Sequence, residues 1–255
     1  MPKIIDIIPV GTSKFNEDRR IFLNKFVSSG FKVDVVNIDF GTHSIESWFD
    51  ESLNTPYIIE QILKAETSGY KAAIVDCIAD PAVDAARQVV RIPVIGPGES
   101  SMHIALLLAT NFSIITVAGP SVTKLLEDRL KSKGLSKFCV SVRNIGLRVL
   151  DLKKEEKKTF NLLVREGKKA IKEDGAEVLI LGCTGLSGLA GKLQEELGVP
   201  VIDPIIVSLK IAELLISTQL THSSLAFPKP PKKQVSYPTT QGFFQIFKMT
   251  KKLNN

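Results

Sequence analysis

Residues 69–97 read GYKAAIVDCIADPAVDAARQVVRIPVIGP, and residues 175–204 read GAEVLILGCTGLSGLAGKLQEELGVPVIDP. Each segment starts at a glycine and runs through an apolar strand to a cysteine. Each then turns, follows a helical pattern and closes in a proline-bearing strand. Gly69 stands eight residues before Cys77, and Gly175 eight before Cys183. Cys77 to Pro97 spans 20 residues; Cys183 to Pro204 spans 21. The earlier glycines Gly30 and Gly134 are 104 apart, close to the 106 that separate the cysteines. Four landmarks in one order argue for a duplicated unit.

The rest of the chain fits that unit. Short β-rich runs are predicted at residues 3–10, 31–38, 72–75 and 93–95, and again at 113–117, 138–142, 178–181 and 201–202. Helical patterns fall at 18–28, 56–67 and 82–90, then at 122–133, 155–173, 189–197 and 208–217. This βαβ rhythm predicts an α/β fold: two similar parallel-sheet halves, each covered by helices. The first half is expected at 1–97 and the second at 98–208, with 209–255 strapped back onto the first. Pro228, Pro230, Pro231 and Pro238 make 227–238 an extended strap rather than regular structure.

Composition narrows the class. The chain has 255 residues, 44% hydrophobic and 24% charged, which excludes wholesale disorder and collagen-like repeats. The net charge of +6 is scattered, and no basic stretch alternates with aromatics, so no nucleic-acid partner is expected. Residues 153–158 (KKEEKK) read as a solvated helix start. Three widely spaced cysteines and three histidines provide neither a disulfide scaffold nor a metal site. The N-terminus lacks a leader pattern, and no apolar run reaches the ~18 residues of a membrane span. The expectation is a cytoplasmic protein in a reducing compartment, with a small-molecule partner, no membrane partner and self-association open. No glycine-rich phosphate loop is present, so nucleotide binding has no support.

Cys77 and Cys183 carry the chemistry. Ligands of α/β sheets collect at the carboxyl ends of the strands, where both cysteines stand. Each precedes a predicted helix, whose free N–H groups lower a thiol pKa and bind anions. Asp80 and Pro81 suit the start of the first of these helices. If the halves face each other, one thiolate takes a proton from a carbon while the other thiol returns one to the opposite face. No cofactor is needed. The N–H groups of the residues that follow, Ile78 after Cys77 and Thr184 and Gly185 after Cys183, are candidates to hold the charge that develops. Plain burial as small apolar residues and a disulfide are the other readings of this pair. Cys139 reads as buried within its strand. Glu99 and His103, four apart on a helix opened by Pro97-Gly98, can pair on one face. His43 and His222 fall in loops with no assigned role. The turn Gly11-Thr12-Ser13 after the first strand lets a ligand approach closely, and Ala118-Gly119-Pro120-Ser121 is its counterpart.

At these residues the chain resembles the aspartate/glutamate/hydantoin racemase superfamily, within it the hydantoin racemase group. The similarity rests on Cys77-Ile78-Ala79-Asp80-Pro81, on Pro93 to Glu99 with Met102-His103, and on Leu181-Gly182-Cys183-Thr184-Gly185. It covers nearly the whole chain. It implies two α/β domains about a pseudo-twofold, with the site between them. It also implies cofactor-independent racemisation by Cys77 and Cys183 of 5-substituted hydantoins, allantoin or acidic amino acids. The substrate cradle it implies includes Gly11, Thr12, Thr116 and Val117. Three positions depart from the family pattern. Pro9-Val10-Gly11-Thr12 replaces an Asn-rich turn, Val117 replaces a second threonine, and Ala82 replaces the usual glycine. A maleate-type isomerase with covalent attack by one thiol, and a non-catalytic binding protein, are the alternatives.

Overall fold

The computed structural model describes residues 1–234. Strands β1 (Lys3–Ile8), β2 (Lys32–Asn37), β3 (Ala72–Val75) and β4 (Val94–Ile95) form a parallel sheet in the order β2-β1-β3-β4. Strands β5 (Phe112–Thr116), β6 (Cys139–Asn144), β7 (Leu179–Gly182) and β8 (Val201–Ile202) form a second in the equivalent order β6-β5-β7-β8. The central strands β3, β5 and β7 are buried along their length. Continuous apolar runs such as AAIV are what a sheet covered on both faces requires.

Eight helices flank the sheets among the described residues: α1 (Asn16–Asn24), α2 (Trp48–Thr67), α3 (Val83–Val89), α4 (Pro97–Leu108), α5 (Pro120–Ser132), α6 (Glu156–Lys172), α7 (Ala190–Leu197) and α8 (Pro204–Ser217). Two of them trade places. Helix α4 leaves the last strand of the first sheet but buries Met102 and Ala105 with Phe112, Ile114 and Ile180 of the second. Helix α8 leaves the last strand of the second sheet but buries Ile205, Leu209 and Ala212 with Ile4, Ile74 and Ile95 of the first. The two crossing helices also pack on each other.

Several boundaries differ from those expected. Helix α2 begins eight residues before the expected 56, capped by the Ser47 hydroxyl, which accepts from the Asp50 N–H. Pro56 therefore sits inside the helix rather than at its start. Helix α8 begins at Pro204, not 208, because Asp203 caps it and proline suits its first turn. Beyond α8 the chain carries no regular structure through 234. The Thr221 hydroxyl donates to the Arg91 carbonyl at 2.8 Å and His222 Nε2 lies 3.1 Å from the Val90 carbonyl, so this stretch lies on the end of α3. The remainder of the expected strap, 235–255, lies outside the described residues. No described helix is long and apolar enough to cross a membrane.

Candidate active site

Both cysteines follow the carboxyl ends of central strands, Cys77 after β3 and Cys183 after β7. They line one cavity of about 250 Å³ with walls from both halves. The first half contributes Ile8, Pro9, Val10, Phe15, Asp18, Arg19, Phe22, His43, Ser44, Ile45 and Asp76. The second contributes Val149, Leu150, Leu152, Lys153, Thr184, Gly185 and Ser187. Neither cysteine is in a disulfide; Cys77 is half-buried and Cys183 buried.

The two thiols have matching surroundings. The amide N–H two residues on, from Ala79 for Cys77 and from Gly185 for Cys183, hydrogen-bonds the sulfur and favours its thiolate. A Cβ on Gly185 would stand 3.3 Å from the Cys183 sulfur. Burial outweighs these donors, so the expected lowering of the thiols is reversed. Burial pushes Cys77 well above the ordinary thiol range, with the nearby Cys183 adding to it. Burial lifts Cys183 to about 11, against the pull of the Gly185 N–H and, more weakly, the Arg19 guanidinium.

The turns after the cysteines are tied to the crossing helices, by opposite routes. After Cys77, the Asp80 carboxylate reaches out to accept from the N–H groups of Gly98 (2.8 Å) and Glu99 (2.7 Å) in the first turn of α4. Asp80 thus caps α4, not the helix that follows it, which starts at Val83. Gly96 makes room, since a Cβ there would meet the Asp80 carboxylate at 2.5 Å. The position equivalent to Gly96 is Asp203, which caps α8 and accepts from the Gly188 N–H of the other turn at 2.8 Å. Asp80 and Ala82 hold φ of 53° and 62°. Glycine adopts that left-handed backbone at no steric cost, whereas Asp80 and Ala82 carry a Cβ in it.

Of the residues expected to touch substrate, Thr184 and Gly185 line the cavity. The structure puts the others elsewhere. Gly11 packs against the Gly41 backbone, where a Cβ would meet Gly41 O at 2.6 Å, and its N–H donates to the Thr42 carbonyl. Thr12 caps a short 3-10 turn at Ser13–Phe15. Ile78 and Val117 are core residues. Thr116 is fully buried, its hydroxyl donating to the Gly182 carbonyl at 2.7 Å. The preceding residues Pro9 and Val10 form that wall instead. Glu99 does not pair with the His103 ring; its carboxylate holds Arg87 at 3.1 Å and Lys133 at 3.0 Å, while His103 Nδ1 lies 2.7 Å from the Glu99 carbonyl. Cys139 is half-buried on the edge strand β6, where burial lifts its thiol to about 12.

Arg19, Asp76 and His43 also line the cavity, although the sequence alone assigns none of them a role. Asp76 directly precedes Cys77 and is buried, as is Asp6 behind it. Arg19 Nε comes within 2.7 Å of Asp76 Oδ2, an ion pair whose approach lies off the ideal hydrogen-bond axis. Burial first, and then the Asp76 carboxylate, push Asp6 far above the carboxylate range and favour its neutral acid. The polar residue Asp76 ending an otherwise apolar strand was the available signal.

Residues 20–212 match the model of the Asp/Glu/hydantoin racemase family. The chain is 39% identical over 206 residues to the hydantoin racemase of Pseudomonas sp. strain NS671, covering 81% of this chain and 82% of that one. It is 32% identical over 234 residues to the hydantoin racemase of Paenarthrobacter aurescens, covering 91% and 99%. Among solved structures it is similar to the allantoin racemase from Klebsiella pneumoniae, with a TM-score of 0.87 and 31% identity over 93% of this chain and 97% of that one.

Proposed function

The chain belongs to the Asp/Glu/hydantoin racemase family and is a racemase, hence an isomerase, and we propose that it inverts C5 of 5-substituted hydantoins with Cys77 and Cys183 as its two acid–base groups. The observation that carries this reading is the pair of free thiols on one cavity, each facing an amide N–H two residues on. One thiolate takes the C5 proton, and the electrons of that C–H bond pass to the adjacent ring carbonyl as an enolate. The other thiol protonates the opposite face, the carbonyl re-forms, and the two sulfurs have exchanged protonation states. Reprotonation then resets the pair without a cofactor.

The cavity wall guides the choice of substituent. Phe15, Phe22, Ile45, Val149, Leu150 and Leu152 suit an apolar side chain. Of the two cations on the wall, Arg19 is buried against Asp76 and Lys153 sits exposed beside Asp18, so among the described residues no buried free cation faces the acidic side chains of aspartate and glutamate. We place the reaction in the cytoplasm, where reducing conditions keep both thiols free.

The test is a screen in heavy water of 5-benzyl and 5-isobutyl hydantoin, allantoin, aspartate and glutamate, following inversion and deuterium incorporation. Inversion of the apolar hydantoins is expected to be fastest. Cys77→Ser and Cys183→Ser should each lose inversion by about 10³-fold or more. Full racemisation by either variant refutes the two-thiol assignment. Faster turnover of aspartate than of any hydantoin refutes the substrate assignment.

A further inference from the structure

We propose that Arg19 is a positioning residue, its guanidinium tying the strand end that carries Cys77 to the turn that carries Cys183 and so setting the spacing of the two thiols. The inference rests on the two-thiol reading above and extends it to a residue on the cavity wall that acts through the backbone neighbours of both cysteines.

Three contacts make the clasp. Arg19 Nε meets Asp76 Oδ2 at 2.7 Å, and Asp76 is the residue immediately before Cys77. Arg19 Nη2 donates to the Thr184 carbonyl at 2.8 Å, and Thr184 is the residue immediately after Cys183. The Thr184 hydroxyl returns across the cleft to the Asp76 carbonyl at 3.3 Å. The backbone neighbours of the two cysteines are therefore linked directly through a hydroxyl and indirectly through a guanidinium.

The chemistry suits arginine. Its planar fork presents donors at fixed separation, so one side chain can hold a carboxylate and a carbonyl together. The group is largely shielded, with side-chain exposure of 11% for Arg19 and 1% for Asp76, so water competes little for these bonds. Lysine carries its three donors on one nitrogen and cannot span both partners in the same geometry. Arg19 comes from α1 of the first half, so the Thr184 bond crosses between halves.

A positioning role has a specific kinetic consequence. Two-face proton transfer needs both sulfurs at reacting distance from one carbon, whereas removal and return of a proton on one face needs only one. Loosening the clasp should therefore harm inversion more than one-sided exchange. Misplacement by about 1 Å costs on the order of 10²-fold in such steps.

The experiment compares wild type, Arg19→Met, Arg19→Lys and Asp76→Asn in heavy water with one enantiomer of the hydantoin that the wild type turns over best. Early in the reaction, deuterium is measured separately in the inverted product and in the recovered starting enantiomer. For Arg19→Met we expect kcat for inversion to fall about 10²-fold with KM within about threefold. Deuterium in the recovered enantiomer, relative to product, should rise at least tenfold. Arg19→Lys and Asp76→Asn should move the same ratio in the same direction by less. Should Arg19→Met fail to fold, those two milder variants decide. An unchanged ratio, with exchange and inversion falling together or not at all, overturns the proposal, because loss of folded protein lowers both equally. Absence of inversion by the wild type would instead sink the underlying two-thiol reading, so the two failures are distinguishable.

Discussion

Burial works against the thiols that the reaction needs ionised, and this sets two pH dependences at the residue scale. Burial lifts Cys183 to about 11, and burial, with the charge of Cys183 beside it, raises Cys77 well above the ordinary thiol range. Turnover requires one thiolate and one thiol, so kcat/KM should rise close to tenfold per pH unit from pH 6 to 9. A flat profile over that range would show that the resting thiolate is already formed. Stability should move the opposite way. An unfolded cysteine titrates near 8.5, and the folded Cys183 holds its proton to about 11. The folded state therefore binds the extra proton between those values. Its contribution is fully present below about 8.5 and is lost as pH rises toward 11. Cys183→Ser should lose less stability than wild type between pH 7 and pH 10, read as the shift in urea midpoint. The cysteines were legible because a repeat placed them at equivalent strand ends. Arg19 was not, because its partners Asp76 and Thr184 lie far along the chain and only the closed fold brings them to it. The Gly11 turn misled for a related reason: a small residue admits either a ligand or a neighbouring backbone, and here Gly41 takes the space.

Between elements, each post-cysteine turn is braced against the N-terminus of a crossing helix by one carboxylate, Asp80 to α4 and Asp203 to α8. Because these groups are buried, Asp80→Ala leaves two helix N–H groups without partners. It should cost about 1–2 kcal/mol by chemical denaturation. Gly98→Ala tests the same joint sterically. A Cβ at Gly98 would stand 2.2 Å from the Ile78 carbonyl, so α4 must shift away from the Cys77 turn. A loss of about 1–3 kcal/mol is expected, together with slower inversion. Unchanged stability in both variants would mean that the joint is slack. Ala82 supplies the opposite case, since its φ of 62° strains a Cβ. Ala82→Gly should gain up to about 1 kcal/mol despite glycine's entropy. The elements themselves were largely readable from periodicity. The first two turns of α2 were not, because Pro56 looks like a start signal when the Ser47 cap is not weighed against it.

Across the whole molecule, the exchange of α4 and α8 makes each sheet depend on a helix that leaves the other. The duplicated order of landmarks foretold two equal halves, but which helix covers which sheet is a matter of tertiary packing that periodicity alone does not encode. Leu209 and Ile205 of α8 are fully buried, packed with Ile4, Ile74 and Ile95 of the first sheet, while the helix continues directly from β8 of the second. Removing the Leu209 side chain leaves a cavity at this junction, and Leu209→Ala should cost about 2–5 kcal/mol. Because α8 is covalently continuous with one half and packed into the other, that loss should reach both. Trp48, the single tryptophan, starts α2 and reports locally on the start of that helix, whereas far-UV circular dichroism reports on all helices. In Leu209→Ala the two signals should shift to lower temperature together, as one transition. A tryptophan transition that moves while the bulk of the helical signal stays in place would show that the halves unfold independently. The crossing helices would then be a packing convenience rather than the coupling that keeps two thiols on one cavity.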